Sequence, residues 1–314
     1  MCREVRAFFV FGQRPAALHS VSVERETVEV TCELVAALIG QQFPQWSAQV
    51  VERVTPGGWD NHTFRLGDSL LVRLPSAQRY VAQVQKEHRW LPVLAKELPL
   101  PIPVPLALGQ PGLGYEWPWS VYRWLQGEPA TSTNVASMDE LAIDLASFLR
   151  ALQRIDATDG PPPGEHNFFR GGSLATYDQQ TRAAVAALEG ELDSAALLRI
   201  WESALDATCS GLISFMHGDI AASNLLVHGG RLAAVIDFGS MGVGDVACDL
   251  TIAWTFFTGS ARQSFLSGVT TDESTWRRAQ GWALWKALIL LAWRHGPQEA
   301  VADARRVLGE VLAG

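Results

Sequence analysis

The chain contains the segment His217-Gly218-Asp219-Ile220-Ala221-Ala222-Ser223-Asn224, and Val235-Ile236-Asp237-Phe238-Gly239 follows it closely. An aspartate, an asparagine and a second aspartate therefore occur at spacings that phosphoryl transfer can use. Asp219 could accept the proton of a substrate hydroxyl. Asn224 and Asp237 offer the hard oxygen ligands that Mg²⁺ prefers when it binds the phosphates of a nucleotide. These three residues are the candidate reaction centre.

The composition is that of a globular protein. The chain has 314 residues, of which 48% are hydrophobic, and it contains 12 tryptophans. This length is enough for two lobes that each have a core. The formal net charge of −8 argues against nonspecific binding to nucleic acid. The charge is compatible with a cationic small-molecule partner, although an ordinary acidic enzyme has the same balance.

The cysteines and the apolar segments favour a cytoplasmic protein with no membrane association. The N-terminal apolar run Phe8–Phe11 is too short for the core of a signal peptide. Residues 283–293 are interrupted by Lys286 and are shorter than a bilayer span, so a buried helix explains them better. Because no paired ligand motif joins the cysteines, we expect free thiols in a reducing compartment. The four cysteines are Cys2, Cys32, Cys209 and Cys248.

Hydrophobic periodicity predicts a small mixed region in the first part of the chain. The predicted elements are a helix over 28–43, strands over 49–55, 62–66, 69–74 and 119–125, and a helix over 77–98. In the strand over 69–74, Leu70, Val72 and Leu74 share one face. Leu71 and Arg73 share the other face.

A larger, mainly helical region is predicted to follow. Helical spacing occurs in 138–155, 176–188, 195–209 and 254–312, and two short strands come after the His217 segment. Gly127-Glu128-Pro129 interrupts the preceding strand, so we divide the chain into lobes of 1–125 and 126–314. Residues 1–24 have no clear period and are either an extension or an early strand. The expected fold class is α+β, with a mixed N-terminal lobe and a helical C-terminal lobe.

These motifs resemble those of the protein-kinase-like superfamily and, more closely, of the aminoglycoside phosphotransferase family. Protein kinases have His-Arg-Asp where this chain has His-Gly-Asp, and glycine is the form found in the antibiotic kinases. The resemblance continues in Gly244-Asp245-Val246-Ala247-Cys248-Asp249-Leu250. This segment is similar to the Gly-Asp-Pro-Ala-x-Asp-Leu of that family, with Val246 in place of proline. The resemblance extends from about Val50 to the end of the chain.

The resemblance implies a two-lobed kinase-like fold with its chemistry in the cleft between the lobes. Residues 1–125 would bind the nucleotide, and residues 126–314 would carry the catalytic residues and bind the acceptor. ATP or GTP would be the phosphate donor, and Mg²⁺ would be the cofactor. Asp219 would be the base, and Asn224 and Asp237 would be the metal ligands.

The position of the family's nucleotide-binding lysine is occupied by arginine. In the family, a lysine on a strand pairs with a helix glutamate and contacts the phosphates; the matching residues here are Arg73 and Glu87. Arginine keeps the charge and can bind phosphate oxygens through two N–H groups, but its planar group needs more room. Three interpretations follow. Arg73 replaces the lysine, or it is a surface residue, or the chain binds nucleotide without turning it over well.

A glycine-containing loop is expected to lie against the phosphates. Pro56-Gly57-Gly58-Trp59-Asp60-Asn61 occupies the position of the family's nucleotide loop. Gly57 and Gly58 would allow backbone N–H groups to approach phosphate oxygens, although the same residues could form an ordinary hairpin turn. Tyr122–Leu125 should connect the lobes and bind the purine.

The acceptor is left open by the sequence. Aminoglycoside kinases recognise cationic sugars with carboxylates, and solvated helix faces are the simpler explanation of each candidate here. His166–Gly172 either lines the acceptor pocket or anchors its loop. The tryptophans of 254–293 are predicted core residues, with an aromatic pocket for a less charged acceptor as the alternative. Asp245 and Asp249 fix the catalytic loop, line the cleft or add charge at a helix N-terminus. The candidate carboxylates are Asp156, Asp159, Glu165, Glu189, Glu191, Asp193, Asp272 and Glu273.

The leading hypothesis is transfer of the γ-phosphate of ATP or GTP to a hydroxyl of an aminoglycoside-like or other small acceptor. A metabolite kinase of the same fold is one alternative. A nucleotide-binding, pseudokinase-like regulatory module is another, and Arg73 is the feature that favours it. A protein kinase is disfavoured because the sequence after Asp237-Phe238-Gly239 has no Ala-Pro-Glu motif and no room for a long activation loop before Asp249.

Overall fold

The computed structural model describes residues 4–6, 28–55, 57–209, 213–269, 271–293 and 298–314. The expectations for Pro56 and for most of residues 1–24 lie outside these ranges. The predicted α+β class is confirmed, because a β-sheet region comes first and a helical region follows.

A six-stranded sheet forms the N-terminal region. Its strands are β1 (Glu4–Arg6), β2 (Val51–Thr55), β3 (Asn61–Leu66), β4 (Leu70–Pro75), β5 (Pro105–Gly109) and β6 (Trp119–Arg123). The strand order is β1-β2-β3-β4-β6-β5, and β1 is parallel to β2 whereas the other pairs are antiparallel. The predicted strands over 49–74 are confirmed to within two residues at their ends. An early strand, β1, is present within 1–24.

Strand β4 separates a hydrophobic core from a deep cleft. Leu70, Val72 and Leu74 are buried in this core, against helix α1 (Cys32–Gln42). Leu71 and Arg73 lie on the other face and line the cleft. The alternation predicted for this strand is therefore correct, and it places a cation at the cleft wall.

Helix α2 (Val81–Leu94) carries polar residues toward the interior. It follows a 3₁₀ turn and ends four residues before the predicted limit at 98, since helix ends vary by a few residues with local packing. Gln83, Lys86 and Glu87 are buried on this helix. Charged residues are seldom buried unless they are paired, so Lys86 and Glu87 require partners inside the fold.

The C-terminal region is mainly helical. Its strands are β7 (Glu128–Pro129), β8 (Ser214–Met216), β9 (Leu225–His228), β10 (Arg231–Val235) and β11 (Gly242–Gly244). Strands β10, β9 and β7 form one small sheet, and β11 pairs with β8. The helices are α3 (Met138–Arg154), α4 (Asp178–Ala187), α5 (Ser194–Asp206), α6 (Ile252–Thr255), α7 (Gly259–Gly268), α8 (Glu273–Ala292) and α9 (Gln298–Ala313). The helices predicted over 138–155, 176–188 and 195–209 are thus confirmed within a few residues.

Helices α3 and α8 run through the larger core. Helix α3 begins after Ser137, whose hydroxyl accepts the N–H of Glu140 and caps the helix. Trp254, Trp282 and Trp285 are buried, as the sequence predicted. Helix α8 is the buried helix expected over 283–293. Among the described residues, no helix is long and apolar enough to span a membrane.

The cysteines differ in part from the prediction of free thiols. Cys209 and Cys248 are free, and Cys248 is buried. Cys32 is disulfide-bonded, so the prediction is wrong for this residue. Spacing along the chain does not show which thiols meet in space, and this is why the sequence missed the bond.

Candidate active site

The catalytic segment between β8 and β9 is held by buried polar contacts. The carboxylate of Asp249 accepts the backbone N–H groups of His217 and Gly218, each at 2.7 Å. The Nδ1 of His217 accepts the N–H of Asp219 at 3.2 Å, so Nε2 carries the hydrogen and donates to the carbonyl of Ile236 at 3.0 Å. His217 and Asp249 therefore position the segment, and neither has to touch a substrate to do so.

Gly218 is required by the conformation of this segment. Its φ of +84° lies in the left-handed region, and a Cβ here would lie 2.3 Å from the carbonyl oxygen of Ser240. A side chain would force the backbone to move. The His-Gly-Asp form of the motif thus fits the close packing of the segment against the residues after Asp237.

Asp219 is paired with a cation that the sequence did not single out as functional. The Nζ of Lys286, on α8, lies 2.7 Å from Oδ1 of Asp219. Burial alone would raise the pKa of Asp219, but the positive charges of Lys286 and Arg170 outweigh burial and lower the pKa below its usual value. Asp219 is therefore a carboxylate at neutral pH, which is the form a proton acceptor needs.

Asn224 and Asp237 line the same cleft as Asp219. Asn224 donates its side-chain N–H to the carbonyl of Asp219 at 2.9 Å, so its amide oxygen is the atom that could bind a metal. Asp237 has a left-handed backbone with φ of +66°, a state that is rare outside glycine and concentrates at functional sites.

One carboxylate and one amide fit Mg²⁺ better than a metal that needs a complete protein cage. No group of three or more His, Cys, Asp or Glu side chains in the described ranges could hold a metal. Mg²⁺ usually takes only one or two carboxylates from a protein and completes its shell with phosphate oxygens and water. The donor set of Asn224 and Asp237 agrees with that pattern.

Arg73 is buried in a charge network. Its guanidinium lies 3.3 Å from Glu87 Oε1 and 3.0 Å from Asp237 Oδ1, and 12% of its side chain is exposed. The hydroxyl of Tyr122 donates to the carboxylate of Glu87. Burial would lower the pKa of Arg73, but Glu87 and Asp237 outweigh burial and raise it, so the guanidinium stays charged. The interpretation of Arg73 as a surface residue is wrong.

The loop between β2 and β3 borders the cleft. Gly58, Trp59 and Asp60 line it, whereas Gly57 is exposed outside the lining. A Cβ at Gly58 would meet no atom within 4 Å, so space remains above this backbone. Burial and the negative charge of Asp237 raise the pKa of Asp60 to about 7. The carboxyl of Asp60 therefore lies near the proposed metal ligand Asp237. The sequence did not predict this carboxyl as a site group.

The connection between the sheets forms one wall of the cleft. Arg123, the last residue of β6, lines it together with Trp124 and Leu125, which follow the strand, and these residues fall within the predicted connection. Apolar residues from both regions face the same space. Such mainly apolar walls are usual in pockets for small ligands. These apolar residues are Leu71, Pro103, Leu226 and Ile236.

The opposite end of the cleft is bordered by cations and aromatic rings. Phe168 and Arg170 line the main cleft. A smaller cavity shares Arg170 and Asp219 with the cleft and is also lined by Lys286 and Trp282. Two residues of the segment 166–172 thus line the cleft, whereas Asn167 anchors the loop through hydrogen bonds to Gly164 and Arg170, and binding of an acceptor by this segment stays a prediction.

The carboxylates considered for a cationic acceptor lie elsewhere. Asp193 and Asp272 cap the N-termini of α5 and α8. Glu191 pairs with Arg305. In the described part of the chain, none of the eight candidates lines the cleft or the smaller cavity. Asp245 also lies outside the lining, because its carboxylate is bound by the guanidinium of Arg278.

Two lysines near the site were not predicted from the sequence. In the sequence, Lys286 appeared only as an interruption of an apolar stretch. A single cation in a helix predicted to be buried needs a partner, and this is the signal that could have identified it. Lys86 precedes Glu87 on α2, and its Nζ donates to the carbonyls of Gly239 at 2.8 Å and Met241 at 2.9 Å. It joins α2 to the segment that follows Asp237.

The two-region fold and the cleft between its regions define a kinase-like phosphotransferase architecture. The sequence profile of the phosphotransferase enzyme family matches residues 51–282. The chain belongs to this family and is a phosphotransferase. A search of curated protein sequences gave no match.

Solved structures of similar fold come from antibiotic kinases. The GDP complex of wild-type aminoglycoside 2'-phosphotransferase-IIIa is 19% identical with a TM-score of 0.68, over 90% of this chain and 99% of that chain. The streptomycin-ATP-APH(2")-IIa ternary complex is 19% identical with a TM-score of 0.57, over 90% and 97%. The macrolide 2'-phosphotransferase MphH from Brachybacterium faecium is 21% identical with a TM-score of 0.59, over 88% and 97%. At these identities the likeness concerns the fold.

Proposed function

We propose that the protein is a Mg²⁺-dependent O-phosphotransferase that moves the γ-phosphate of ATP or GTP to a hydroxyl of a small acceptor. The observation that supports this most is the convergence of Asp219, Asn224, Asp237 and Arg73 on one cleft. Phosphoryl transfer requires positioning and charge neutralisation, and these side chains offer both.

In the proposed reaction, the acceptor oxygen forms a bond to the γ-phosphorus. The bond from that phosphorus to the bridging oxygen breaks, and the nucleoside diphosphate leaves. Asp219 receives the hydroxyl proton, while Lys286 keeps this carboxylate ionised. Asn224 and Asp237 would hold Mg²⁺, which when bound neutralises phosphate charge.

On the donor side, the proposal assigns the phosphates to Arg73 and to the loop after β2. Glu87 keeps the guanidinium of Arg73 in place. Two N–H groups of this guanidinium can bind phosphate oxygens together. Gly57 and Gly58 would bring backbone N–H groups to the phosphates. Residues 1–125 would form the nucleotide lobe and 126–314 the catalytic lobe, since the chain passes between the two sheets after β6.

The acceptor class is part of the proposal. The similar structures include complexes with kanamycin and with streptomycin and a macrolide phosphotransferase, so an antibiotic is one proposed acceptor. A metabolite alcohol is the other, because a shared fold does not define a substrate. We also propose a cytoplasmic location, where nucleoside triphosphates are supplied. The disulfide at Cys32 weighs against this location, because disulfides are more usual in oxidising compartments. Cell fractionation would test the location.

A nucleotide-binding module without turnover is the second candidate. The specific observation in its favour is the contact of Arg73 with Asp237, because the guanidinium occupies an oxygen of a proposed metal ligand. Nucleotide binding without phosphorylated product would support this candidate.

The test is mass-spectrometric detection of phosphorylated product. Purified protein would be incubated with MgATP or MgGTP and a panel of aminoglycosides, macrolides and metabolite alcohols, beside the Asp219→Asn variant. We expect product with the wild type and a loss of about 10²- to 10⁴-fold in the variant, the usual contribution of a general base. Nucleotide binding without product would favour the regulatory module, and the absence of both would refute the proposal.

A further inference from the structure

Arg170 lies with Asp219 where the cleft and the smaller cavity meet. Its Cζ lies 4.6 Å from the ring centre of Trp285 and 5.1 Å from that of Trp282. Within the described residues Arg170 forms no salt bridge, and its Nε is buried without a hydrogen-bond partner. Buried polar groups are normally paired, so a donor left without one marks a place where a ligand can complete the contacts.

The loop that carries Arg170 is held in a strained conformation. Phe168 and Phe169 both have φ of +54°, which is uncommon for residues other than glycine. The side chain of Asn167 accepts the N–H of Gly164 at 3.0 Å and donates to the carbonyl of Arg170 at 3.2 Å. Strain of this kind persists where the surroundings enforce it and is concentrated at binding sites. Arg170 is therefore positioned before a ligand arrives.

The charges at this end of the site favour an anionic group. Besides Asp219, the acids that line the cleft are Asp60 and Asp237, which lie near each other on the side of Arg73. Near Asp219 the lining instead contains the cations Arg170 and Lys286. Lys286 is paired with Asp219, and the nearby carboxylate of Asp249 is bound by the backbone N–H groups of His217 and Gly218. Arg170 is therefore the cation of this lining without a carboxylate partner among the described residues, and it favours an anionic group on a ligand.

We propose that Arg170 recognises a carboxylate on the acceptor, so that the substrate is a hydroxy acid with an apolar part. This inference rests on the proposed function and defines its acceptor. The face of the guanidinium is covered by the indole rings, so its N–H groups remain free at the edge, where a carboxylate can be bound through two parallel hydrogen bonds. Phe168 and Trp282 supply an apolar wall beside that contact.

A competing role for Arg170 is to bind the γ-phosphate of the donor. The structure favours the acceptor because Arg73 already lies with Asp237 on the phosphate side. Arg170 instead shares the smaller cavity with Lys286 and Trp282, which are absent from the lining of the main cleft. The experiment below separates the two roles.

The test uses two sets of acceptors that share a hydroxyl and differ in one group. The first set is mandelate, mandelamide and 2-amino-1-phenylethanol, and the second is 3-hydroxypropionate, 3-hydroxypropionamide and 3-amino-1-propanol. Kinetics would be measured with MgATP and MgGTP, and Asp219→Asn would show which product is enzymatic. We expect kcat/KM to fall in the order acid, amide, amine. The order would come from KM, since the proposed contact with Arg170 is made equally in the bound substrate and in the transition state.

The variant Arg170→Gln should raise KM for the acid about 10- to 100-fold, the range for losing a charge-assisted contact, and should change KM for the amide far less. Because Arg170 also helps to keep Asp219 ionised, kcat should fall by a similar factor for both acceptors. Arg170→Lys should recover part of the loss. Arg182→Gln removes an exposed arginine on α4 and should have no effect. Thermal unfolding of each variant would show that it is folded.

A binding measurement makes the inference independent of turnover. Mandelate and 2-amino-1-phenylethanol would be titrated calorimetrically into protein saturated with MgADP. If mandelate binds more tightly than the amine and Arg170→Gln abolishes this preference, the inference is supported, whether or not product forms. If no product forms with any acceptor, the proposed function is refuted and the inference about binding stands. Three results would overturn the inference. Mandelate would not bind, the amine would bind more tightly than mandelate, or Arg170→Gln would weaken only the affinity for nucleotide. Asp219-dependent product from kanamycin or erythromycin without a preference for acids would overturn it and keep the function.

Discussion

The ion pair between Lys286 and Asp219 controls the protonation of the proposed base. In Lys286→Met the burial of Asp219 remains while the cation is lost, so the pKa of Asp219 should rise. The carboxylate form exists above this pKa. The acidic limb of the kcat/KM profile should therefore move to higher pH, with the largest loss of activity at acidic pH and recovery as pH increases.

The measurement is a full pH profile of kcat/KM for the wild type and the variant. Lys286→Arg keeps the charge and should leave the acidic limb near its original place. Lys96→Met changes an exposed lysine and serves as the control. If Lys286→Met lowers activity equally at every pH, Lys286 acts on a bound ligand and not on the proton of Asp219.

Gly218 and Gly229 offer a matched test of backbone strain. Both have positive φ, but a Cβ at Gly229 meets no atom within 4 Å, whereas at Gly218 it would lie 2.3 Å from the Ser240 carbonyl oxygen. Gly229→Ala should cost roughly 1–2 kcal/mol of unfolding free energy, the usual penalty of the left-handed region. Gly218→Ala should cost about 3 kcal/mol or more, because a backbone clash is added. Urea unfolding measures both, and equal losses would show that the segment moves to accept the methyl group.

At the scale of elements, the sequence predicts most strands and helices but not the contacts between them. The alternation in β4 is visible in the sequence because one face of the strand is buried and the other lines the cleft. Apolar residues therefore recur at every second position. The family resemblance implied the pairing of Arg73 with Glu87 on α2, but the contact of Arg73 with Asp237, from the chain after β10, was not visible in the sequence. Such contacts depend on tertiary packing, which a local pattern does not encode.

Lys86 joins α2 to the segment after Asp237. In Lys86→Met the carbonyls of Gly239 and Met241 lose their shared donor, and each buried acceptor without a partner costs about 1–3 kcal/mol. We expect a loss of roughly 2–4 kcal/mol in urea unfolding, because methionine recovers part of the packing. Nucleotide affinity should also fall, since α2 positions Glu87 against Arg73. Lys96→Met provides the control, and unchanged stability of Lys86→Met would mean that this link is not structural.

At the scale of the whole molecule, the candidate site is a product of both regions of the fold. The sequence predicts Asp219, Asn224 and Asp237 because they lie within one short stretch with a recognisable spacing. Lys286 and Asp60 come from distant segments whose patterns resemble an ordinary helix and an ordinary loop, and Arg170 was indicated only as one member of the segment 166–172. Their proximity to Asp219 or Asp237 exists only after folding. The missing part of the prediction is thus the acceptor end, where the fold brings together residues without a motif.

Because the cleft is shared by both regions, a bound nucleotide should stabilise the protein as a unit. A ligand at 100 times its Kd adds about 2.7 kcal/mol, which corresponds to a rise in Tm of roughly 4 °C for a chain of this size. If Asn224 and Asp237 hold Mg²⁺, EDTA should remove most of this rise with ATP, and Asp237→Ala should do the same. Asp303→Ala removes an exposed carboxylate on α9 and should keep it. A rise that is unaffected by EDTA and by Asp237→Ala would place nucleotide binding on Arg73 and the loop alone, and would weigh against magnesium-dependent transfer.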